Sequence, residues 1–135
     1  MSKAMPVVSK FMTSLPHTVG VDVSLEKAEK MMNELRVRHL PVLDGGKLVG
    51  IVSDRDIKMV ETFKDVDISK VKVSDAFTPD PYITKPDSKI DEVAEYMANH
   101  KYSCVLVVDN HKLVGIFTWV DALHAMKELL SQRYH

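Results

Sequence analysis

The sequence contains little of what several large classes of protein require. Cys104 is the single cysteine among 135 residues, so no internal disulfide can form and we expect a reducing, cytoplasmic location. No apolar run approaches the roughly 20 residues that span a bilayer. The opening MSKAMPVVSKFM is interrupted too often by polar residues for a secretory signal. We therefore predict no association with a membrane.

Charge and histidine spacing argue against further classes. The net charge of −1 gives no overall basic field for nucleic acid. A local patch at Arg36, Arg38 and His39 keeps RNA or single-stranded DNA binding as a minor alternative. Metal sites need histidines spaced at i, i+4 or clustered with cysteine. The six histidines of this chain show neither pattern. Neither a G-x-x-x-x-G-K loop nor a Ser/His/Asp set is evident. We therefore predict that the protein is not an enzyme, has no metal site and requires no cofactor.

What the sequence does contain is an internal repeat. KLVGIVSDRD starts at Lys47 and KLVGIFTWVD starts at Lys112, an offset of 65 residues. A match at one fixed offset over most of the chain indicates duplication. We predict repeat 1 at 1–63, a polar linker at 64–72 and repeat 2 at 73–135, with the halves burying apolar faces on each other. Further identical pairs at this offset are Val8/Val73, Ser9/Ser74, Thr13/Thr78, Pro16/Pro81, Asp22/Asp87, Met32/Met97, Val42/Val107 and Asp44/Asp109.

Repeat 1 shows a clear order of elements. Ser24 is a predicted N-cap for a helix with one apolar face. HLPVL and LVGIVS are predicted strands joined by the turn DGG, which needs positive φ. The segment DRDIKMVETF is predicted to be a second helix. The apolar face of the first helix consists of Leu25, Ala28, Met32 and Leu35.

Repeat 2 shows the same order. Asp87 or Ser88 is expected to cap its first helix, and the strands CVLVV and LVGIFT flank a DNH turn. Its last helix is amphipathic. The inward face of the first helix consists of Ile90, Val93 and Met97, and the apolar stripe of the last helix consists of Val120, Leu123, Met126 and Leu130.

In each repeat a strand turns into the last helix at a hydroxyl residue, a position that we call the elbow. The first elbow has Ser53 followed by Asp56, and the second has Thr118 followed by Asp121. Unpaired N–H groups and the helix dipole favour an anion at the start of a helix, and a hydroxyl can add a donor to phosphate. A carboxylate three residues later can accept both hydroxyls of a ribose. The combination suits a nucleoside that carries phosphate.

Ordinary helix capping explains the same residues. Serine and threonine are favoured N-caps, and aspartate is favourable at the third helical position. A duplicated cap would also occur twice. The residue chemistry alone therefore leaves both interpretations open.

The whole pattern resembles a tandem pair of CBS domains, the module named after cystathionine β-synthase. The resemblance covers nearly the whole chain and rests on FMTSLPHTV and AFTPDPYIT, on RHLPVLDGGKLVGIVSDRDI and on SCVLVVDNHKLVGIFTWVDAL. It implies an α+β fold in which two β-α-β-β-α repeats pack sheet to sheet about a pseudo-two-fold axis. Two clefts between the repeats would then receive adenosyl ligands.

The resemblance also assigns roles to individual residues. Asp56 and Asp121 would bind ribose hydroxyls, while Ser53 and Thr118 would face phosphate. The base slots would be lined by Val37, Arg38 and His39 in the first repeat and by Tyr102, Ser103 and Cys104 in the second. The other wall of each slot would come from Thr13, Pro16 and His17 with Thr78, Pro81 and Tyr82.

The two copies differ in charge near the implied clefts. Since guanidinium groups bind phosphate well, we expect unequal sites, the first preferring a phosphorylated ligand. Arg38 could serve either phosphate, and Arg55 could instead be a solvated helix residue. Cys104 has apolar neighbours and is expected to be buried rather than nucleophilic. The differing pairs are Arg55/Val120, Arg38/Ser103 and His39/Cys104.

The function implied by the resemblance is that of a stand-alone regulatory module, an energy sensor that binds AMP, ADP or ATP and modulates a separate partner protein. S-adenosylmethionine and NAD share the adenosine and are alternatives, as is a ligand-free assembly module. The apolar stripe of the last helix could pair with a second chain in a homodimer or pack on its own domain. Trp119 could contact a neighbouring subunit or cap the second cleft.

Overall fold

The computed structural model describes residues 3–134 of the chain. Within this range the strands and helices alternate as the repeat predicts, and each repeat begins with a short 3₁₀ turn, at Val8–Lys10 and Val73–Asp75. In chain order the elements are β1 (Thr13–Ser14), β2 (Val19–Gly20), α1 (Leu25–Leu35), β3 (His39–Asp44), β4 (Lys47–Ser53), α2 (Asp54–Glu61), β5 (Thr78–Pro79), β6 (Ile83–Thr84), α3 (Ile90–His100), β7 (Cys104–Asp109), β8 (Lys112–Thr118) and α4 (Trp119–Arg133).

Helix α1 begins and packs as its sequence predicts. The Ser24 side chain accepts a hydrogen bond from the Lys27 N–H at 3.2 Å, which satisfies one of the unpaired donors of the first turn. The helix ends at Arg36, whose φ of +56° places it in the left-handed region. The side chains buried on its inner face are Leu25, Ala28 and Met32.

The two hairpins close through turns in the left-handed region. Gly45 and Gly46 have φ of +58° and +84°, as the DGG turn requires. The matching turn uses Asn110 and His111, with φ of +50° and +66°. Asparagine tolerates this conformation, whereas histidine adopts it at a steric cost.

The described residues divide into two compact units, each with its own sheet. The first unit is His17–Pro81, with strand order β2-β3-β4-β5, and the second combines the described parts of Met1–Pro16 and Tyr82–His135, with order β1-β8-β7-β6. In the first sheet β2 and β3 are parallel, while β3–β4 and β4–β5 are antiparallel. The second sheet matches it, with β6 and β7 parallel and the β7–β8 and β8–β1 pairs antiparallel. The predicted α+β class with two matching repeats is confirmed.

Each unit takes its end strand from the other sequence repeat. Strand β5 belongs to repeat 2 but pairs with β4 of repeat 1, and β1 belongs to repeat 1 but pairs with β8 of repeat 2. The preceding 3₁₀ turns follow the same division, because Val73 is fully buried in the core of the first unit and Val8 in that of the second. The repeat boundaries in the sequence and the unit boundaries in space are therefore different.

The segment 64–72 belongs to the first unit and is more than a polar linker. Ile68 and Val71 pack against the core of this unit. The Leu25 N–H, at the start of α1, donates to the Val71 carbonyl at 2.8 Å. The few apolar residues of this segment therefore fix its path, although its overall composition is polar.

The predicted cap of α3 is wrong. The N-cap is Lys89, which makes no side-chain capping bond, rather than Asp87 or Ser88. The Ser88 hydroxyl is used one turn earlier, where it lies 2.6 Å from the Thr84 hydroxyl and accepts from the Lys85 N–H at 3.3 Å. Ser88, which was predicted to cap the helix, therefore forms its hydrogen bonds within the preceding turn instead.

Helix α4 keeps its apolar stripe exposed within the described chain. The buried residue of this helix is Ala125. Packing on its own unit therefore does not account for the stripe in residues 3–134. The exposed fraction of the stripe residues is between 42% and 53%; these residues are Val120, Leu123, Met126 and Leu130.

Candidate ligand-binding elbows

The first elbow joins β4 to α2 through a reciprocal capping box. The Ser53 N–H donates to Asp56 Oδ2 at 2.9 Å, and the Asp56 N–H donates to Ser53 Oγ at 3.0 Å. Strand β5 adds a third residue, because the Thr78 hydroxyl donates to Asp56 Oδ2 at 3.4 Å. The elbow therefore presents two hydroxyls and one carboxylate at the start of a helix.

The second elbow repeats this arrangement between β8 and α4. The Thr118 N–H donates to Asp121 Oδ2 at 2.9 Å, and the Asp121 N–H donates to Thr118 Oγ1 at 3.3 Å. Strand β1 supplies the third residue, since the Thr13 hydroxyl donates to Asp121 Oδ1 at 3.5 Å. The same set of groups therefore forms twice, once in each unit.

These contacts support both interpretations of the elbows. The reciprocal bonds are those of a helix capping box, so Asp56 and Asp121 stabilise their helices. In the first elbow the Ser53 N–H and the Thr78 hydroxyl both donate to one carboxylate oxygen, Asp56 Oδ2. A carboxylate that is held in one orientation through one oxygen can present the other to a ligand hydroxyl.

The predicted base-slot residues of the first repeat lie beside the first elbow. The Asp54 N–H donates to the Arg38 carbonyl at 2.9 Å, and the Arg38 guanidinium is 3.6 Å from the Asp54 carboxylate. His39 pairs with Ser53 across the β3–β4 ladder. Val37 precedes this strand and is 37% exposed. Arg38 and His39 therefore adjoin the elbow through the backbone, and Val37 precedes them in the chain.

His39 does not contribute the positive charge that the sequence comparison suggested. Burial lowers the pKa of His39 below its ordinary value of 6.5, and this effect outweighs the nearby Asp56 carboxylate, which acts in the opposite direction. His39 is therefore neutral at neutral pH. The cations beside the first elbow are Arg38, which is paired with Asp54, and Arg55 on the exposed side of α2.

The matching residues of the second repeat are uncharged. The Trp119 N–H donates to the Ser103 carbonyl at 3.0 Å, and Cys104 pairs with Thr118 in the β7–β8 ladder. Cys104 is 8% exposed, and burial raises the pKa of its thiol to about 12. The thiol is thus protonated and offers a ligand little surface, which agrees with a structural cysteine.

The remaining predicted wall residues divide between the units. Thr78 and Pro81 lie in the first unit with His17, and Thr13 and Pro16 lie in the second unit with Tyr82. The exchange of end strands thus brings Thr78 to Asp56 and Thr13 to Asp121. Sequence order alone does not give this pairing.

A cluster of four aromatic rings in the second unit was not predicted. Tyr82 and Tyr96 have ring centroids 4.3 Å apart, and Tyr96 and His100 are stacked at 3.9 Å. Tyr102 lies 5.7 Å from Tyr82 and 6.1 Å from Tyr96. The spacing of Tyr96 and His100, four residues apart on α3, is the signal that could have indicated part of it.

The helices of the second unit also enclose a groove of about 460 Å³ between α3 and α4. Four residues of the first unit that lie 65 positions before groove residues form two ion pairs. These are Lys58–Glu29 at 3.7 Å and Arg38–Asp54 at 3.6 Å. The groove is therefore apolar where the first unit is charged. It is lined chiefly by Met97, Lys101, Tyr102, Ser103, Trp119 and Leu123.

Two other kinds of feature are not found between residues 3 and 134. Each helix there is too short or too polar to cross a bilayer. No three side chains from His, Cys, Asp and Glu come together there in a way that could hold a metal ion.

Comparison with known proteins gives one consistent family. The family described as "CBS domain" matches residues 8–61 and 73–128. Inosine-5'-monophosphate dehydrogenase of Staphylococcus epidermidis is 31% identical over 112 residues, which are 80% of this chain. The chain spans 22% of the length of that relative.

Solved structures match over nearly the full chain. The AcuB protein of Vibrio cholerae has a TM-score of 0.85 at 32% identity, covering 96% of both chains. The CBS domain pair of protein MJ0100, in complex with 5-methylthioadenosine and S-adenosyl-L-methionine, has a TM-score of 0.83 at 28% identity, covering 93% of this chain and 98% of that one. CBSX2 in complex with AMP has a TM-score of 0.80 at 29% identity, covering 91% and 97%.

Proposed function

Since the chain belongs to the CBS domain family, we propose that it is a regulatory module that binds adenine nucleotides at its elbows and modulates a partner protein. AMP, ADP and ATP are the proposed ligands, so the module would act as an energy sensor in the cytoplasm. The observation that carries this proposal is the duplicated set of a hydroxyl N-cap, a carboxylate and a threonine from the end strand.

The chemistry of the elbow fits the common part of these ligands. A ribose offers two adjacent hydroxyl donors, and the Asp56 carboxylate is held in place through bonds to its Oδ2 oxygen. The Ser53 hydroxyl accepts the Asp56 N–H and can still donate its own proton to a phosphate at the same place. The Arg55 N–H is the donor of the first helical turn that the capping bonds do not use. In the second unit the Val120 N–H is the equivalent backbone donor, while the hydroxyls of Thr118 and Thr13 donate to Asp121.

The ligands of similar proteins support the adenosyl class. CBSX2 was solved with AMP, and the MJ0100 pair with 5-methylthioadenosine and S-adenosyl-L-methionine. The shared part of these molecules is adenosine, which is the part that the carboxylates would bind. S-adenosylmethionine and NAD are therefore the alternative ligands of the same site.

A panel of thermal melts tests this function. Purified protein is heated with AMP, ADP, ATP, NAD, S-adenosylmethionine or no ligand. A ligand at about 100 times its dissociation constant adds about 2.7 kcal/mol of stability, which is several degrees for a chain of this size. We expect a shift with at least one adenine nucleotide.

The matched variant for the panel is Asp56→Glu combined with Asp121→Glu. Glutamate keeps a capping box but moves the carboxylate by one methylene, so the helices remain capped while the ribose contact changes. We expect the melt without ligand to be nearly unchanged and the ligand shift to be lost. An equal shift in wild type and variant would show that the elbows are ordinary caps.

A second candidate function, assembly without ligand, is favoured by the stripe on α4. At the offset of 65 the stripe residues correspond to charged residues of the first repeat, so the two copies differ in this property. We propose that the stripe pairs with a second copy in a homodimer. The matching charged residues are Arg55, Lys58, Glu61 and Asp65, against Val120, Leu123, Met126 and Leu130.

Sedimentation distinguishes assembly from a monomer. Leu123→Lys and Met126→Glu introduce the residues that the first repeat carries at the same positions. We expect the wild type to sediment as a dimer and the double variant as a monomer with an unchanged circular dichroism spectrum. A monomeric wild type would remove the assembly function.

A further inference from the structure

The surroundings of the two elbows differ much more than the elbows themselves. We propose that the first elbow takes a phosphorylated adenosine, whereas the second takes an unphosphorylated adenosine whose base stacks on the ring cluster of Tyr82, Tyr96, His100 and Tyr102. This inference rests on the proposed function and deepens it by assigning a ligand class to each elbow. It follows from charge, from aromatic surface and from the internal comparison that the repeat provides.

The elbows share a framework that does not discriminate between these ligands. Both have the capping bonds of a hydroxyl residue with an aspartate, at 2.9 Å from the backbone N–H to the carboxylate. Both receive a threonine from an end strand, at 3.4 Å and 3.5 Å. A ribose would meet the same groups in either unit, so selectivity must come from the neighbouring residues.

The first elbow has the charge that a phosphate needs. Arg55 is the second residue of α2, two positions after the N-cap Ser53, and it forms no ion pair with the described residues. Arg38 is engaged by Asp54 at 3.6 Å. A guanidinium next to the open N–H groups of a helix start is a favourable phosphate site. Arg55 is therefore the residue that selects for phosphate.

The second elbow has uncharged residues at the same positions. Val120 replaces Arg55, Trp119 replaces Asp54 and Ser103 replaces Arg38 at the offset of 65. The cation that lines the nearby groove is Lys101, whose counterpart in the first repeat is Arg36, so it does not distinguish the two units. A phosphate at the second elbow would meet the helix start without a neighbouring guanidinium.

The second unit has an aromatic surface in place of this charge. Tyr102 immediately precedes Ser103, is 40% exposed and lines the groove, so its ring is accessible to a ligand. The interplanar angle between Tyr96 and Tyr102 is 11° and that between His100 and Tyr102 is 13°, so the rings are nearly parallel. Stacked rings of this kind provide a flat surface for a purine.

The ring cluster is specific to the second repeat. The residues at the same positions of the first repeat are aliphatic apart from one histidine, so that unit cannot form a stacked array. An aromatic surface without nearby guanidinium favours the base and ribose over the phosphate as the source of affinity. The counterparts of Tyr82, Tyr96, His100 and Tyr102 are His17, Met31, Leu35 and Val37.

Calorimetric titration of two single variants tests the assignment. Asp121→Glu leaves the first elbow intact and Asp56→Glu leaves the second, and each is titrated with AMP and with adenosine. We expect Asp121→Glu to prefer AMP and Asp56→Glu to prefer adenosine, each by about tenfold. The same AMP-to-adenosine ratio in both variants would overturn the assignment. Binding of neither compound by the wild type would also overturn the assignment, whereas the absence of a shift throughout the melt panel would overturn the proposed function, which is a separate result.

Exchange of matched residues tests the cause. In the Asp56→Glu background, Val120→Arg imports the Arg55 guanidinium and should raise AMP affinity by about threefold to tenfold. Tyr102→Val introduces the residue found at the matching position of the first repeat, Val37, and should lower adenosine affinity by about tenfold. An unchanged affinity in both exchanges would overturn the proposal.

The control for the added charge is Gln132→Arg, which places an arginine on the exposed distal end of the same helix. It should leave AMP affinity unchanged. If it raised AMP affinity as much as Val120→Arg, general attraction by positive charge would explain the gain and the role of position 120 would be refuted. Ligand-free melts of every variant confirm that each one folds.

Discussion

Thr13 and Asp121 are separated by 108 positions in the sequence, yet the Thr13 hydroxyl donates to Asp121 Oδ1 at 3.5 Å. The equivalent contact joins Thr78 to Asp56 at 3.4 Å. Each contact is possible because a two-residue strand from one repeat pairs with the last strand of the other, β1 with β8 and β5 with β4. The elbows therefore depend on the exchange of end strands as well as on their own sequence.

The pairing of β5 can be tested at Gly50. A Cβ at this position would collide with the Thr78 carbonyl and the Phe77 ring, whereas a Cβ at Gly115 would meet the side chain of Met12. A flexible methionine can move aside but a paired backbone cannot. We expect Gly50→Ala to lower the free energy of unfolding by about 1–3 kcal/mol more than Gly115→Ala, measured by urea denaturation.

Ligand binding provides the second measurement for the same pair of variants. Gly50→Ala should also weaken AMP binding, because displacing β5 moves Thr78 away from Asp56. Equal losses of stability in Gly50→Ala and Gly115→Ala would contradict the close approach of β5 to β4.

The turn between β7 and β8 leaves room for stabilisation. His111 has φ of +66°, where the equivalent residue in the first hairpin is Gly46. Glycine adopts this conformation without the steric cost of a side chain, and Asn-Gly is a preferred pair for a two-residue hairpin turn. We expect His111→Gly to raise the free energy of unfolding by about 0.5–1 kcal/mol in urea denaturation. A loss of stability would show that the side chain of His111 contributes more than its backbone conformation costs.

Burial of His39 makes stability depend on pH. Its folded pKa is lowered from 6.5, chiefly by burial, so the unfolded chain takes up a proton at a pH where the folded chain does not. The contribution of neutral His39 is complete above about pH 6.5 and is lost as the pH falls from there through the folded pKa. We expect His39→Gln to reduce the decrease in unfolding free energy between pH 8 and pH 5.5.

The control for this pH dependence is His124→Gln, a substitution at an exposed histidine of α4. Denaturation curves at both pH values should show the smaller decrease for His39→Gln alone. If both variants behaved like wild type, burial of His39 would not be the source of the dependence.

Cys104 should be chemically inert in the folded protein. Its thiol is buried and its pKa is raised to about 12, so almost no reactive thiolate exists at pH 8. We expect an aromatic disulfide reagent to modify Cys104 very slowly in the native protein and rapidly in denaturant. Fast modification of the native protein would place the thiol at the surface and return it to the candidates for ligand contact.

Much of the fold and part of the site could be predicted from the sequence. The hairpins and the α1 cap follow from local patterns, and the Gly45–Gly46 turn has the positive φ that DGG indicates. The capping contacts of both elbows follow from the spacing of a hydroxyl and an aspartate. These features depend on residues within a few positions of one another, where patterns and propensities are most informative.

The remaining features depend on contacts between distant segments. Strands of two residues are too short for their sequence to indicate a partner strand. The sequence therefore did not predict that Val73 of repeat 2 is buried in the first unit and Val8 of repeat 1 in the second. An apolar stripe such as that of α4 has the same spacing whether it faces its own core or another molecule. The neutral state of His39 follows from its burial. The residues next to His39 in the sequence do not predict that burial.

The central claim, that the elbows bind the ribose of an adenosyl ligand, is tested most directly by removing the ribose hydroxyls from the ligand. Wild-type protein is titrated by calorimetry with AMP and with its 2′,3′-dideoxy analogue. We predict that AMP binds and that the analogue binds at least about tenfold more weakly, because carboxylates placed for the two hydroxyls lose both partners. Equal binding of the two compounds, or no binding of AMP, would contradict the account.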